Sequence, residues 1–153
     1  MSAKQTLHDD LNTAMKARDE VTVATLRMAL TAVTTAEVAG KEARELSDDE
    51  VLAVLTREAK KRREAAEAFE AAGRTELAAR EVAEGEVLAR YLPTPLTDDE
   101  LATLVRQAIT ETGADSPRAM GQVMKALQPE VAGRADGKRV SDAVRAALTG
   151  AAG

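Results

Sequence analysis

The chain has 153 residues, 31% of them Asp, Glu, Lys or Arg, with a net charge of −5, two aromatic side chains (Phe69 and Tyr91) and no cysteine. That length suits one ordinary domain or two small ones, and the Ala, Glu, Arg and Leu richness points to helices throughout. Disulfides, thiolate metal sites and cysteine nucleophiles are excluded, and the scarcity of flat rings disfavours base stacking on single-stranded nucleic acid. No apolar run approaches the length of a membrane span, and the opening stretch from Met1 to Gln5 has no apolar signal core. The expectation is a cytoplasmic protein with no membrane partner.

The first helix opens at Ser2, which can cap it, with Gln5 placed to reach back; Leu7, Leu11, Ala14 and Met15 share one face. His8, the only histidine, lies one position off that face and reads as a surface residue, since general-base chemistry needs an orienting partner. Asp19 is the expected cap of a second helix carrying Val23, Leu26, Leu30 and Val33 and ending at Gly40. Arg27 interrupts its apolar neighbourhood and calls for a carboxylate on an adjacent helix.

Two helix starts share one phrase. Leu46-Ser47-Asp48-Asp49-Glu50-Val51 and Leu96-Thr97-Asp98-Asp99-Glu100-Leu101 each place a hydroxyl cap, a glutamate three residues on and a flanking apolar pair. This is a capping box with a hydrophobic staple, and the helix dipole accounts for the acidic first turns without a metal. The third helix runs from Val51 past Phe69 to Gly73 and contains Lys60, Lys61, Arg62 and Arg63. At about 100° per residue, four consecutive positions spread round the helix and make no single patch, so solvated pairing with Glu58, Glu64 and Glu67 is favoured over nucleic-acid contact. Thr75 is the expected cap of a fourth helix, and Gly85 within it suggests a close helix crossing.

Pro93 and Pro95 force extended backbone at Leu92 and Thr94 and mark the domain junction. The expected fold is all-α: an N-terminal four-helix domain over residues 1–92, a Pro-rich hinge, and a small three-helix domain over residues 96–153. The C-terminal part holds a fifth helix to Gly113 and a sixth starting at Ser116-Pro117. A seventh follows a glycine-bearing turn, with Val140, Ala143, Val144, Ala147 and Leu148 on one face, and the chain beyond Gly150 should fray. With fewer than about sixty residues and no aromatic side chain, this part stands at the margin of independent stability.

Charge is asymmetric. Between Ser116 and Gly153 six Lys/Arg face three Asp/Glu, a balance of +3 that leaves −8 on the rest of a −5 chain. The candidate phosphate-binding residues are Arg118, Lys125, Gly133, Arg134, Gly137, Lys138 and Arg139. The glycines permit close backbone approach, the helix start offers unpaired amides and the cations supply charge. The structural alternative is that Gly133 makes a turn, Asp136 caps the last helix and the cations are solvated. Ser2, Ser47, Ser116 and Ser141 all lie at or near helix starts; with one isolated histidine and no phosphate-cradling glycine loop, a nucleophile and base together are missing. No cofactor and no catalytic residue is expected.

These residues carry a resemblance. Tyr91-Leu92-Pro93, Met120-Gly121 with Val123-Met124, and Gly133-Arg134-Ala135-Asp136-Gly137-Lys138 with Val140-Ser141 resemble the GatB/YqeY family, in particular its small free-standing YqeY-like members. The likeness extends through Met15-Lys16-Ala17, Leu26-Arg27-Met28, Lys60 to Arg62, Phe69, Gly73-Arg74, Leu77-Ala78, Glu81 and Glu84. In larger relatives this helical region is the C-terminal part of the B subunit of the glutamine-dependent tRNA amidotransferase, a carbon-nitrogen ligase with glutamine as amido-N-donor, whose tail contacts the tRNA. The catalytic cradle of that subunit has no counterpart in this chain. The resemblance therefore implies a non-catalytic module with tRNA, amidotransferase or other translation proteins as partners. An adaptor that docks another protein through a helical face, with no RNA contact, is the alternative, and the overall acidity favours it.

Overall fold

The computed structural model describes residues 1–150, and among them the secondary structure is seven α-helices and one 3-10 turn, with no strand. The chain groups into two compact units, Met1–Leu92 and a second beginning at Pro93.

In the first unit, α1 (Ala3–Ala17) is capped by Ser2, whose hydroxyl accepts from the Gln5 amide at 3.1 Å. The Gln5 side chain does not reach back; it donates forward to Asp9 at 3.0 Å, so the single hydroxyl does the capping. Arg18 ends the helix in the left-handed region, φ 56°, a conformation that glycine usually supplies. Asp19 caps α2 (Glu20–Glu37) with both carboxylate oxygens, accepting from the Thr22 amide at 3.2 Å and its hydroxyl at 2.7 Å. These bonds hold the Asp19 carboxyl below its ordinary range. The helix ends at Glu37, short of Gly40, and the Glu37 side chain turns inward: it is 9% exposed, accepts from Lys4 Nζ at 2.7 Å and from the Leu46 amide at 3.2 Å. Arg27 is exposed and donates to the Met15 sulfur at 3.5 Å; the carboxylate partner expected for it is absent among the described residues because its place on α2 faces solvent.

α3 (Asp48–Ala71) starts with the full capping box at Ser47 and Glu50, and Arg44 clamps the Glu50 carboxylate from outside. α4 (Thr75–Ala89) begins at Thr75 itself; Arg74 takes the cap position without a side-chain bond, so the expected threonine cap does not form. Gly73, at φ +75°, makes the turn between them. A methyl at Gly85 would lie 3.9 Å from Arg62 Cβ, an ordinary contact, so the crossing there is not tight enough to require glycine. The core gathers Leu7 of α1, Leu26, Ala29, Leu30 and Val33 of α2, Val51, Val54 and Leu55 of α3, and Val87 and Leu88 of α4. On α2 and α3 these positions recur at i, i+3 and i+4, as an apolar stripe requires. Tyr91 lies against this core and donates to Asp10 Oδ2 at 2.6 Å; burial and the Asp10 charge push its phenol above the ordinary range.

In the second unit, α5 (Asp98–Thr112) carries the second capping box, with Thr97 and Glu100 exchanging two bonds of 3.1 Å, and ends at Gly113, φ +67°. Leu96 and Leu101, the two ends of the staple, are both buried. Ser116 makes no side-chain cap; Pro117–Ala119 form a 3-10 turn that leads into α6 (Met120–Val131). Gly133, φ +74°, reverses the chain, and α7 (Gly137–Gly150) follows. Leu96, Leu101, Val105, Ala108, Val123, Leu127, Val131, Val140, Val144 and Leu148 close one core, so α6 and α7 do face each other across their loop, with α5 against both. The fraying expected beyond Gly150 concerns residues outside those described.

Candidate nucleic-acid interface

The seven candidate residues fall into two groups. Arg118, on the 3-10 turn, and Lys125, on α6, are exposed and belong to none of the ion pairs found among the described residues. Gly133, Arg134, Gly137, Lys138 and Arg139 come together where α6 hands over to α7. The hand-over is built by local chemistry. Gly133 supplies the positive φ, and Asp136 accepts from the Arg139 amide at 2.8 Å, capping α7 as its position three residues ahead of that donor predicts. The Leu96 amide donates to the Arg134 carbonyl at 2.9 Å, which fixes the loop against the start of α5. Gly137 opens α7, and a methyl group placed on it would meet nothing within 4 Å, so this end of the helix presents bare backbone to solvent.

The three cations of this loop are already engaged. Arg139 donates to Asp98 Oδ1 at 2.7 Å, Lys138 to Asp142 Oδ2 at 2.9 Å, and Arg134 lies 3.8 Å from Glu100 Oε2 while its Nε donates to the Thr94 carbonyl at 3.0 Å. Their Asp98, Asp142 and Glu100 partners are half or more exposed, so water competes for every pair and each adds little to stability. The Asp142 bond raises Lys138, and the same bond lowers Asp142. Glu100 is lowered by its bonds to Thr97 and, to a smaller extent, by the Arg134 charge. Asp98 and Glu100 are the residues that sequence reasoning missed. Their spacing explains a helix start, and nothing local reveals that the same first turn meets a loop some forty residues later.

The basic run on α3 disperses. Lys61 pairs with Glu58 at 3.2 Å, while Arg62 turns inward between Glu81 at 3.3 Å and Glu84 at 3.5 Å on α4. Its Nε has no hydrogen-bond partner, so the guanidinium is held by charge rather than by a satisfied network.

No group of three or more His, Asp or Glu side chains is arranged to hold a metal ion, and no helix is long and apolar enough to cross a membrane, among the described residues. Among the described residues the fold is all-helical, and the cations of the turn between α6 and α7 are paired with carboxylates. The family model described as Yqey-like protein matches residues 4–148, and the chain belongs to that family. No curated protein matches it.

Proposed function

We propose that the chain is a non-catalytic module that meets structured RNA, tRNA in particular, through the turn from Gly133 to Arg139, and associates with translation or amidotransferase machinery. In this reading the two compact units are separate domains and Pro93-Thr94-Pro95 is the hinge between them. The observation that carries it is the placement of Arg134, Lys138 and Arg139 within six residues, at an exposed helix start, on carboxylates weak enough for phosphate to replace. Arg118 and Lys125 extend the same basic segment. Family membership supports the reading, through the tRNA-contacting tail that the resemblance implies.

The test is tRNA binding over a salt series. With three phosphate contacts at about 0.7–0.9 each, log K against log salt should fall with a slope of roughly −2 to −3. Changing Arg134, Lys138 and Arg139 together to Ala should remove most of that slope, whereas Lys60→Ala with Arg63→Ala should leave it. Loss confined to the α3 variant would place binding on the wrong patch, and no binding at low salt would end the RNA reading.

A further inference from the structure

The α3–α4 hairpin extends past the core that it helps to build. α3 contributes Val51, Val54 and Leu55 to that core, with Ala59 packed against them, and α4 contributes Val87 and Leu88; residues 60–86 contribute nothing to it. At 1.5 Å per residue, α3 beyond Ala59 runs on for about 18 Å. Over this length the two helices pack on each other, and the groove that they share is open, with a volume of about 480 Å³. Its walls are short apolar side chains, Ala66 on α3 and Ala78, Ala79 and Ala83 on α4, beside Val82, which is 51% exposed. Its ionisable side chains are Glu67 and Glu70 on α3 and Glu86 on α4. Two arginines of this hairpin are held by its own carboxylates: Arg62 by Glu81 and Glu84, and Arg80 by Glu84.

We propose that this groove seats a helix of a partner protein, one with an apolar stripe flanked by Lys and Arg. Two antiparallel helices open along one side are two thirds of a three-helix bundle. With alanine on both walls, a third helix can approach to the roughly 8–10 Å at which helices pack. Charge selects the occupant. Every ionisable lining group is a carboxylate, and the unit from Met1 to Leu92 holds eighteen Asp/Glu against fourteen Lys/Arg, a balance of −4. Phosphate is repelled by the three glutamates that line the groove, and a second copy of this chain docked groove to groove would set glutamate against glutamate. A cationic amphipathic helix satisfies both the apolar walls and the acidic margins. This inference is independent of the RNA reading, which concerns the other unit.

The experiment uses the full chain, isotopically labelled for NMR, and two synthetic peptides of about five helical turns. Both carry the same leucine stripe; one has lysine and the other glutamate at the flanking positions. The lysine peptide should bind saturably and shift the amides of Ala66, Ala79, Val82 and Ala83 most. Val82→Glu, at an exposed position that leaves the core intact, should weaken it by about tenfold or more, since a charge would then face the apolar stripe. Combining Glu67→Lys, Glu70→Lys and Glu86→Lys should transfer the preference to the glutamate peptide. Shifts spread over other acidic surfaces, equal binding of the two peptides, no saturable binding, or indifference to Val82→Glu would each overturn the proposal. Self-association abolished by Val82→Glu would overturn it in favour of a second copy, and tRNA shifting the same four amides would overturn it in favour of nucleic acid.

Discussion

Replacing Thr97 by Ala removes the hydroxyl that accepts from the Glu100 amide at 3.1 Å and leaves the return bond, Thr97 amide to Glu100 Oε1, without its counterpart. Such a cap substitution costs about 1 kcal/mol, within roughly 0.5–2 kcal/mol. For a unit of this size each kcal/mol moves the midpoint by about 4–8 °C, so thermal unfolding of α5 to α7 should begin several degrees earlier. Ser116→Ala is the matched control. It deletes a hydroxyl at another expected helix start, yet that hydroxyl makes no cap, and the cost should stay within about 0.5 kcal/mol. Methyl NMR of the buried Val105, Val123, Val144 and Leu148 during a thermal melt reports on this core directly. A Ser116→Ala cost equal to that of Thr97→Ala, or a Thr97→Ala cost below about 0.5 kcal/mol, would refute the assignment of the two starts.

The Arg44 and Ser47 bonds hold the Glu50 carboxyl down to about 2, against 4.5 when free of them. Its folded pKa is depressed, so its stabilising contribution is complete above 4.5 and is lost as pH falls towards 2; Glu50→Gln should flatten that part of the acid limb, and a Glu50 carboxyl titrating near 4.5 by NMR would contradict it. Leu88→Ala, at a fully buried position, should cost about 2–5 kcal/mol in denaturant unfolding, while Leu77→Ala, on the same helix but 41% exposed, should cost far less.

Much of this protein is written locally. The capping boxes at Ser47 and Thr97, the Asp19 and Asp136 caps, and the left-handed glycines at Gly73, Gly113 and Gly133 all rest on partners within a few residues, so the sequence alone determines them. The apolar stripes are local too, which is why Leu26, Leu30 and Val33, or Val123 and Leu127, could be assigned to cores before any contact was known. Ser116 and Thr75 show where local reading stops: Thr75 is already the first helical residue, with Arg74 at the cap position, and Ser116 leads into a 3-10 turn in which its hydroxyl makes no cap. The same holds for charge. Nothing near Arg139 or Arg134 announces that Asp98 and Glu100 will meet them, nothing near Glu37 that Lys4 will draw it inside, and nothing near Arg62 that Glu81 and Glu84 will turn it away from solvent. Periodicity tells which face of a helix is apolar; only tertiary structure decides which charged side chains are brought within reach of one another, because ion pairs depend on distances across elements that have no counterpart in sequence spacing.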